Sequence, residues 1–172
     1  MSESRIHAVA AELVRIAIAR NASLAVAESL TGGWVASTLV AVPGTSEVFR
    51  GGIVSYQTQV KRSVLGVDGD LLAEAGPVDS QVAAQMAEHV RDLFAVDGSP
   101  AVVGMSTTGV AGPTEQDGHP VGEVFVAVAT ASLSRVERFM FEGSRDDVRE
   151  QAVAAVLELA LEVIQEMSVV TE

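Results

Sequence analysis

The chain contains no cysteine, which excludes disulfides, thiolate metal ligands and a cysteine nucleophile. It is also poor in positive charge: 11 Lys and Arg stand against 23 Asp and Glu, a formal net charge of −12. So acidic a surface opposes broad contact with a nucleic-acid backbone, which needs clustered Lys and Arg. A small anionic substrate held by one or two local cations is still compatible with it. No apolar run is long enough to cross a bilayer, so no membrane partner is expected. The first residues, Met1 to Arg5, are polar, and Glu12 and Arg15 follow. That is unlike a secretory signal, and a cytoplasmic location is the expectation. Histidine is scarce as well: His7, His89 and His119. None pairs with a carboxylate at metal-ligand spacing, so neither a metal site nor another cofactor is expected. Without repeats or low-complexity linkers, 172 residues suit a single domain over 1–172 with one core.

What is present alternates between two periodicities. Val9, Leu13, Ile16 and Ala17 recur at helical spacing within 6–19. Residues 24–27 read as a short buried strand, 31–42 as a helix, and 43–46 as a turn. A strand over 51–56 and a short helix over 57–65 follow. Asp79 or Ser80 can cap a helix running to Phe94, with Val82, Met86, Val90 and Phe94 on one face. Strands are expected at 101–105, 122–130 and 135–141, the last two paired. Ser144 caps a long final helix, with Asp147 in capping-box position. Strands interleaved with helices imply a three-layer α/β/α sandwich, and the adjacent late strands make the central sheet mixed.

Four places could carry chemistry, all at strand–helix junctions. Ser29 stands where the 24–27 strand gives way to Leu30, Thr31, Gly32 and Gly33. Paired glycines permit a sharp turn and close backbone approach, and a helix start favours negative groups. Taken alone, the segment is a corner capped by Ser29 or Thr31. Lys61 follows Tyr56 by five residues, and both can face the carboxyl edge of the sheet, where open α/β folds place ligands. Taken alone, Lys61 is a solvated lysine beside Arg62 and Tyr56 has ordinary amphipathic burial. Thr107, Thr108 and Gly109 follow the 101–105 strand, at a tip suited to backbone contact with a ligand. Finally, Arg145 just inside a helix N-terminus combines dipole, amide donors and a planar cation suited to phosphate.

As an ordered set these strings resemble the CinA C-terminal domain family: Ala27 to Gly33, Tyr56 to Lys61 with Leu65-Gly66-Val67, Gly109 to Pro113, Pro120-Val121-Gly122 and Phe141 to Arg145. The similarity runs from about Ala8 to the final helix. That family includes the stand-alone nicotinamide-nucleotide amidases. The resemblance implies an amidohydrolase that converts nicotinamide mononucleotide to nicotinate mononucleotide and ammonia, without a metal. It matches Ser29 to the nucleophile, Lys61 to the base and Tyr56 to the tyrosine supporting them. Thr108 and Gly109 match residues lining the site, and Arg145 the arginine for the substrate phosphate. Thr31, Gly32 and Gly33 complete the expected substrate contacts. The 114–119 loop departs from the family's pattern in lacking a glycine-rich start, and the doubled threonine leaves open whether Thr107 or Thr108 faces the site.

The chemistry sets its own conditions. A serine hydroxyl attacks an amide only when a base takes its proton. A lysine serves near neutral pH only if burial depresses its pKa. A carboxylate beside it would hold the proton on, so Glu28 is expected to be engaged away from Lys61. The oxyanion is expected on N–H groups near Gly32 and Gly33, or at Gly109. One rival is Ser29 or Thr108 served by a histidine. His7 and His89 read as helix surface or boundary residues, and His119 as an exposed loop residue. The other rival is a non-catalytic nucleotide- or phosphate-binding regulatory module. The high apolar fraction, 48%, makes a homo-oligomer, a dimer first, the expected assembly.

Overall fold

In the computed structural model, which describes residues 3–167, the 24–27 run becomes β1 (Leu24–Glu28), with all five residues buried. Such a strand shows no alternation because helices cover both its faces. β2 (Phe49–Val54) and β3 (Val103–Gly109) flank it in parallel, and β4 (Glu123–Ala129) and β5 (Ser134–Met140) continue antiparallel. The order β2-β1-β3-β4-β5 makes one mixed, five-stranded sheet. With helices on both faces, the expected three-layer sandwich is the fold.

The helices are α1 (Glu3–Ala19), α2 (Trp34–Val40), α3 (Thr58–Ser63), α4 (Gly69–Ala75), α5 (Ser80–Leu93) and α6 (Arg145–Glu166). On one face Leu13 of α1 and Leu157 of α6 share a core with Val26, Met105 and Val126 of the sheet. On the other, Val82 and Met86 of α5 close over Ala25 and Ala27. Gly104 permits that contact: a Cβ there would lie 2.0 Å from the Ala87 carbonyl oxygen. None of the described helices is long and apolar enough to cross a membrane.

The caps follow the sequence. Asp79 accepts the amides of Gln81 and Val82, and Ser144 and Asp147 form the capping box. Three boundaries differ. β3 runs on to Gly109, past the expected stop at Met105, because each polar residue added finds a partner. Ser106 Oγ donates to Ala83 O at 2.6 Å, Thr108 Oγ1 donates to Pro77 O at 2.6 Å, and Thr107 pairs with Thr31. α4, where no helix was expected, is set up by Asp68, which accepts the amides of Asp70 and Leu71. β2 stops at Val54 and α2 starts only at Trp34, so Tyr56 and Thr31 both lie in connecting turns.

Candidate active site

β1, β2 and β3 run the same way, so their carboxyl ends meet at one edge of the sheet. Ligands in open α/β folds bind at that edge. Ser29 leaves the tip of β1, and Lys61 comes from α3, just after the tip of β2. Lys61 Nζ lies 3.0 Å from Ser29 Oγ and 2.6 Å from the Ser55 carbonyl oxygen. Lys61 is only 1% exposed. Burial lowers its pKa from 10.5 to about 8, and loss of solvent is the whole cause. A neutral amine here can donate to Ser55 O while its lone pair takes the Ser29 proton.

Glu28, the residue before Ser29, does not touch this pair. Its carboxylate turns to the start of α2 and accepts Gly33 N–H (2.9 Å), Val35 N–H (3.1 Å) and Ala36 N–H (2.8 Å). The helix has no cap of its own at Gly33, whose φ of 97° makes it left-handed. Glu28 supplies that cap, in place of the Ser29 or Thr31 expected there. The expectation that Glu28 is engaged elsewhere holds, and Lys61 keeps no carboxylate neighbour of its own.

A cleft of about 270 Å³ opens over the pair. Ser29, Lys61, Tyr56, Thr108, Gly109 and Arg145 all line it, joined by Leu30, Pro77, Val78 and the 110–112 and 114–116 stretches. Three expected substrate contacts do not line it. Thr31 is fully buried, its Oγ1 2.8 Å from Thr107 Oγ1. Gly32 N–H is taken by Ser29 O at 3.1 Å, and Gly33 N–H by Glu28. These three residues shape the turn after Ser29, and the Gly32 and Gly33 amides are not free for an oxyanion. Tyr56 is 60% exposed, and its hydroxyl accepts from Arg145 Nη2 at 3.0 Å; no hydrogen bond joins it to Ser29 or Lys61. Arg145 also donates to Gly112 O. The α6 amides expected beside it for phosphate are partly used by the capping box, which leaves its guanidinium as the cation at the cleft.

The threonine ambiguity resolves by division of labour. Thr107 Oγ1 faces the back of the turn, accepting Ser29 N–H at 3.4 Å, while Thr108 borders the cleft with its hydroxyl committed to Pro77. His119 is not merely exposed: its Nδ1 meets the buried Glu123 carboxylate at 2.8 Å, and Arg138 donates to the same carboxylate. His89 packs against Leu65 O, and His7 is exposed. No histidine is hydrogen-bonded to Ser29 or Thr108. Among the described residues, no three His, Asp or Glu side chains gather to hold a metal ion. Sequence reasoning missed Ser55, whose role is played by a backbone oxygen and leaves no side-chain trace. One signal went unused: Lys61 is the only lysine in a chain with ten arginines.

Comparison with known proteins agrees with this architecture. A competence-damaged protein (CinA) superfamily protein from Klebsiella pneumoniae superposes with a TM-score of 0.88 at 29% identity, over 94% of this chain and 99% of that one. Its counterpart from Escherichia coli gives 0.87 at 30%, over 95% and 93%. A CinA-like protein from Frankia casuarinae is 46% identical over 142 residues, 83% of this chain and 32% of that protein. Another from Pseudothermotoga lettingae is 35% identical over 156 residues, 90% of this chain and 37% of that protein. This chain thus spans about a third of the length of these two relatives. The CinA C-terminal domain matches residues 6–164, almost the entire sheet and its helices, and the chain belongs to that family.

Proposed function

We propose that this protein is an amidohydrolase that deamidates nicotinamide mononucleotide to nicotinate mononucleotide and ammonia. The observation that carries the reading is a buried, dehydrated amine 3.0 Å from the hydroxyl of Ser29. Lys61 takes the Ser29 proton as Oγ attacks the carboxamide carbon, forming a tetrahedral oxyanion. Leu30 and Gly109, which border the cleft, supply the N–H groups that meet it. Lys61 then returns the proton to the departing nitrogen, and the C–N bond breaks with loss of ammonia. Water, deprotonated by the same amine, cleaves the resulting ester, releasing the carboxylate and restoring Ser29. Arg145 holds the phosphate as a planar cation, and exposed Tyr56 offers its ring to the pyridine.

The test is ammonia release from nicotinamide mononucleotide in the presence of chelator, with wild type, S29A and K61R. Wild type is expected to turn over, and both variants to lose activity by at least about a hundredfold, the lower end of the range for losing a general base. K61R keeps a permanent charge, so it should still bind the nucleotide. Full turnover by K61R would defeat the lysine base. Nucleotide binding without turnover in wild type would favour a binding module.

A further inference from the structure

Arg149 lies one helical turn beyond Arg145 on α6 and does not line the cleft. Its Nε donates to Leu30 O at 3.0 Å and its Nη2 to Thr31 O at 3.2 Å. These are the carbonyls of the two residues that follow Ser29. Its Nη1 meets Asp146 at 3.1 Å, and its guanidinium carbon sits 5.5 Å from the centre of the Trp34 ring. Leu30 and Thr31 are buried; Arg149 answers the Leu30 carbonyl and shares the Thr31 carbonyl with Trp34 N–H, which donates to it at 3.2 Å. Stacking and an ion pair fix the planar group from behind.

The consequence runs along the backbone. The peptide that joins Thr31 to Gly32 accepts from Arg149 at its oxygen and donates from Gly32 N–H to Ser29 O at 3.1 Å. A cation at one end of that peptide polarises it and strengthens the bond at the other. We infer that Arg149 is a positioning residue for Ser29: its guanidinium clamps the Leu30 and Thr31 carbonyls and so locks the turn that holds Oγ against Lys61. Glu28 fixes the same turn from its far end through Gly33, and Thr107 fixes it from the β3 side. The turn has no apolar side chain to define it at Gly32 and Gly33, which is why three polar anchors converge there. A displacement of about 1 Å at a reacting atom can cost on the order of a hundredfold in rate.

The inference rests on Ser29 as the nucleophile, and its test separates it from the identity of the substrate. R149M, R149K and R149A are compared with wild type in two assays: ammonia release from nicotinamide mononucleotide, and labelling of Ser29 by a fluorophosphonate followed by mass spectrometry. R149M is expected to lower kcat by about 10- to 100-fold with KM within about twofold, since Arg149 does not line the cleft. Ser29 labelling should slow in parallel. Millimolar guanidinium should restore part of the rate of R149A, an effect that general destabilisation would not produce. R149K, which can reach one carbonyl at a time, should fall between. Unchanged kcat and labelling in R149M, a rise in KM alone, or R149A indifferent to guanidinium would each overturn the clamp. Wild type that labels at Ser29 and releases no ammonia would defeat the substrate reading alone.

Discussion

Lys61 illustrates how one side chain acquires a function from its surroundings. An arginine in its place would stay charged at any relevant pH, whereas a lysine's pKa shifts readily on burial. Here it falls from 10.5 to about 8. Turnover is therefore expected to rise with pH through about 8 and level off above it, as the amine becomes free to accept a proton. Stability follows with a defined sign. Between pH 8 and 10.5 the unfolded chain binds a proton at this site that the folded protein has shed, so folding gains as pH rises. Below pH 8 both states are protonated and the buried ammonium is a standing cost. Relative to K61M, wild type should gain roughly 3 kcal/mol across that window, whatever the constant offset between them. Urea denaturation of both proteins at pH 7, 9 and 10.5 measures it; a pH-independent difference would contradict a depressed pKa.

At the scale of elements, the site depends on how β1 hands over to α2. Glu28 satisfies three amides at the start of that helix, and hydrogen bonds to a charged group are worth about 1.5–3 kcal/mol each. Glu28→Gln keeps the shape and removes the charge, so it is expected to cost about 2 kcal/mol of stability and to slow Ser29 labelling. Denaturant unfolding and the fluorophosphonate assay read the two effects. Much of this junction was legible in the sequence, because a buried run ending at Ser29 and two glycines has few other geometries. The caps at Asp79 and Ser144 were legible for the same reason: their side-chain chemistry is local. The course of β3 was not. Ser106, Thr107 and Thr108 look like loop residues until Ala83, Thr31 and Pro77, distant in sequence, answer their hydroxyls. The fate of the Gly32 and Gly33 amides was hidden similarly, since both are consumed by contacts that only the folded turn creates.

Across the whole molecule, the cleft has a fixed floor and a tethered rim. The floor is the sheet edge, held between the cores on its two faces. The rim is the 114–119 loop, a tight hairpin in which Gln116 and His119 exchange backbone hydrogen bonds around Asp117 and Gly118. Both central residues have positive φ, 52° and 82°, the geometry an Asp-Gly pair adopts in a type I′ turn. Buried Glu123 at the start of β4 ties this hairpin down through His119 and reaches Arg138 on β5. Glu123→Ala is expected to cost about 1–3 kcal/mol in urea and to raise KM more than it lowers kcat, because Thr114 to Gln116 border the cleft. A fall in kcat alone would contradict that division between floor and rim.

Because the chain holds a single lysine, its ionisation can be watched without interference. Protein labelled with ¹³C-lysine gives one Cε signal, whose shift against pH reports the amine at position 61 directly. An inflection near pH 8 that matches the rise in wild-type turnover is the predicted result. A signal that titrates at the ordinary 10.5 would mean that Ser29 has no base.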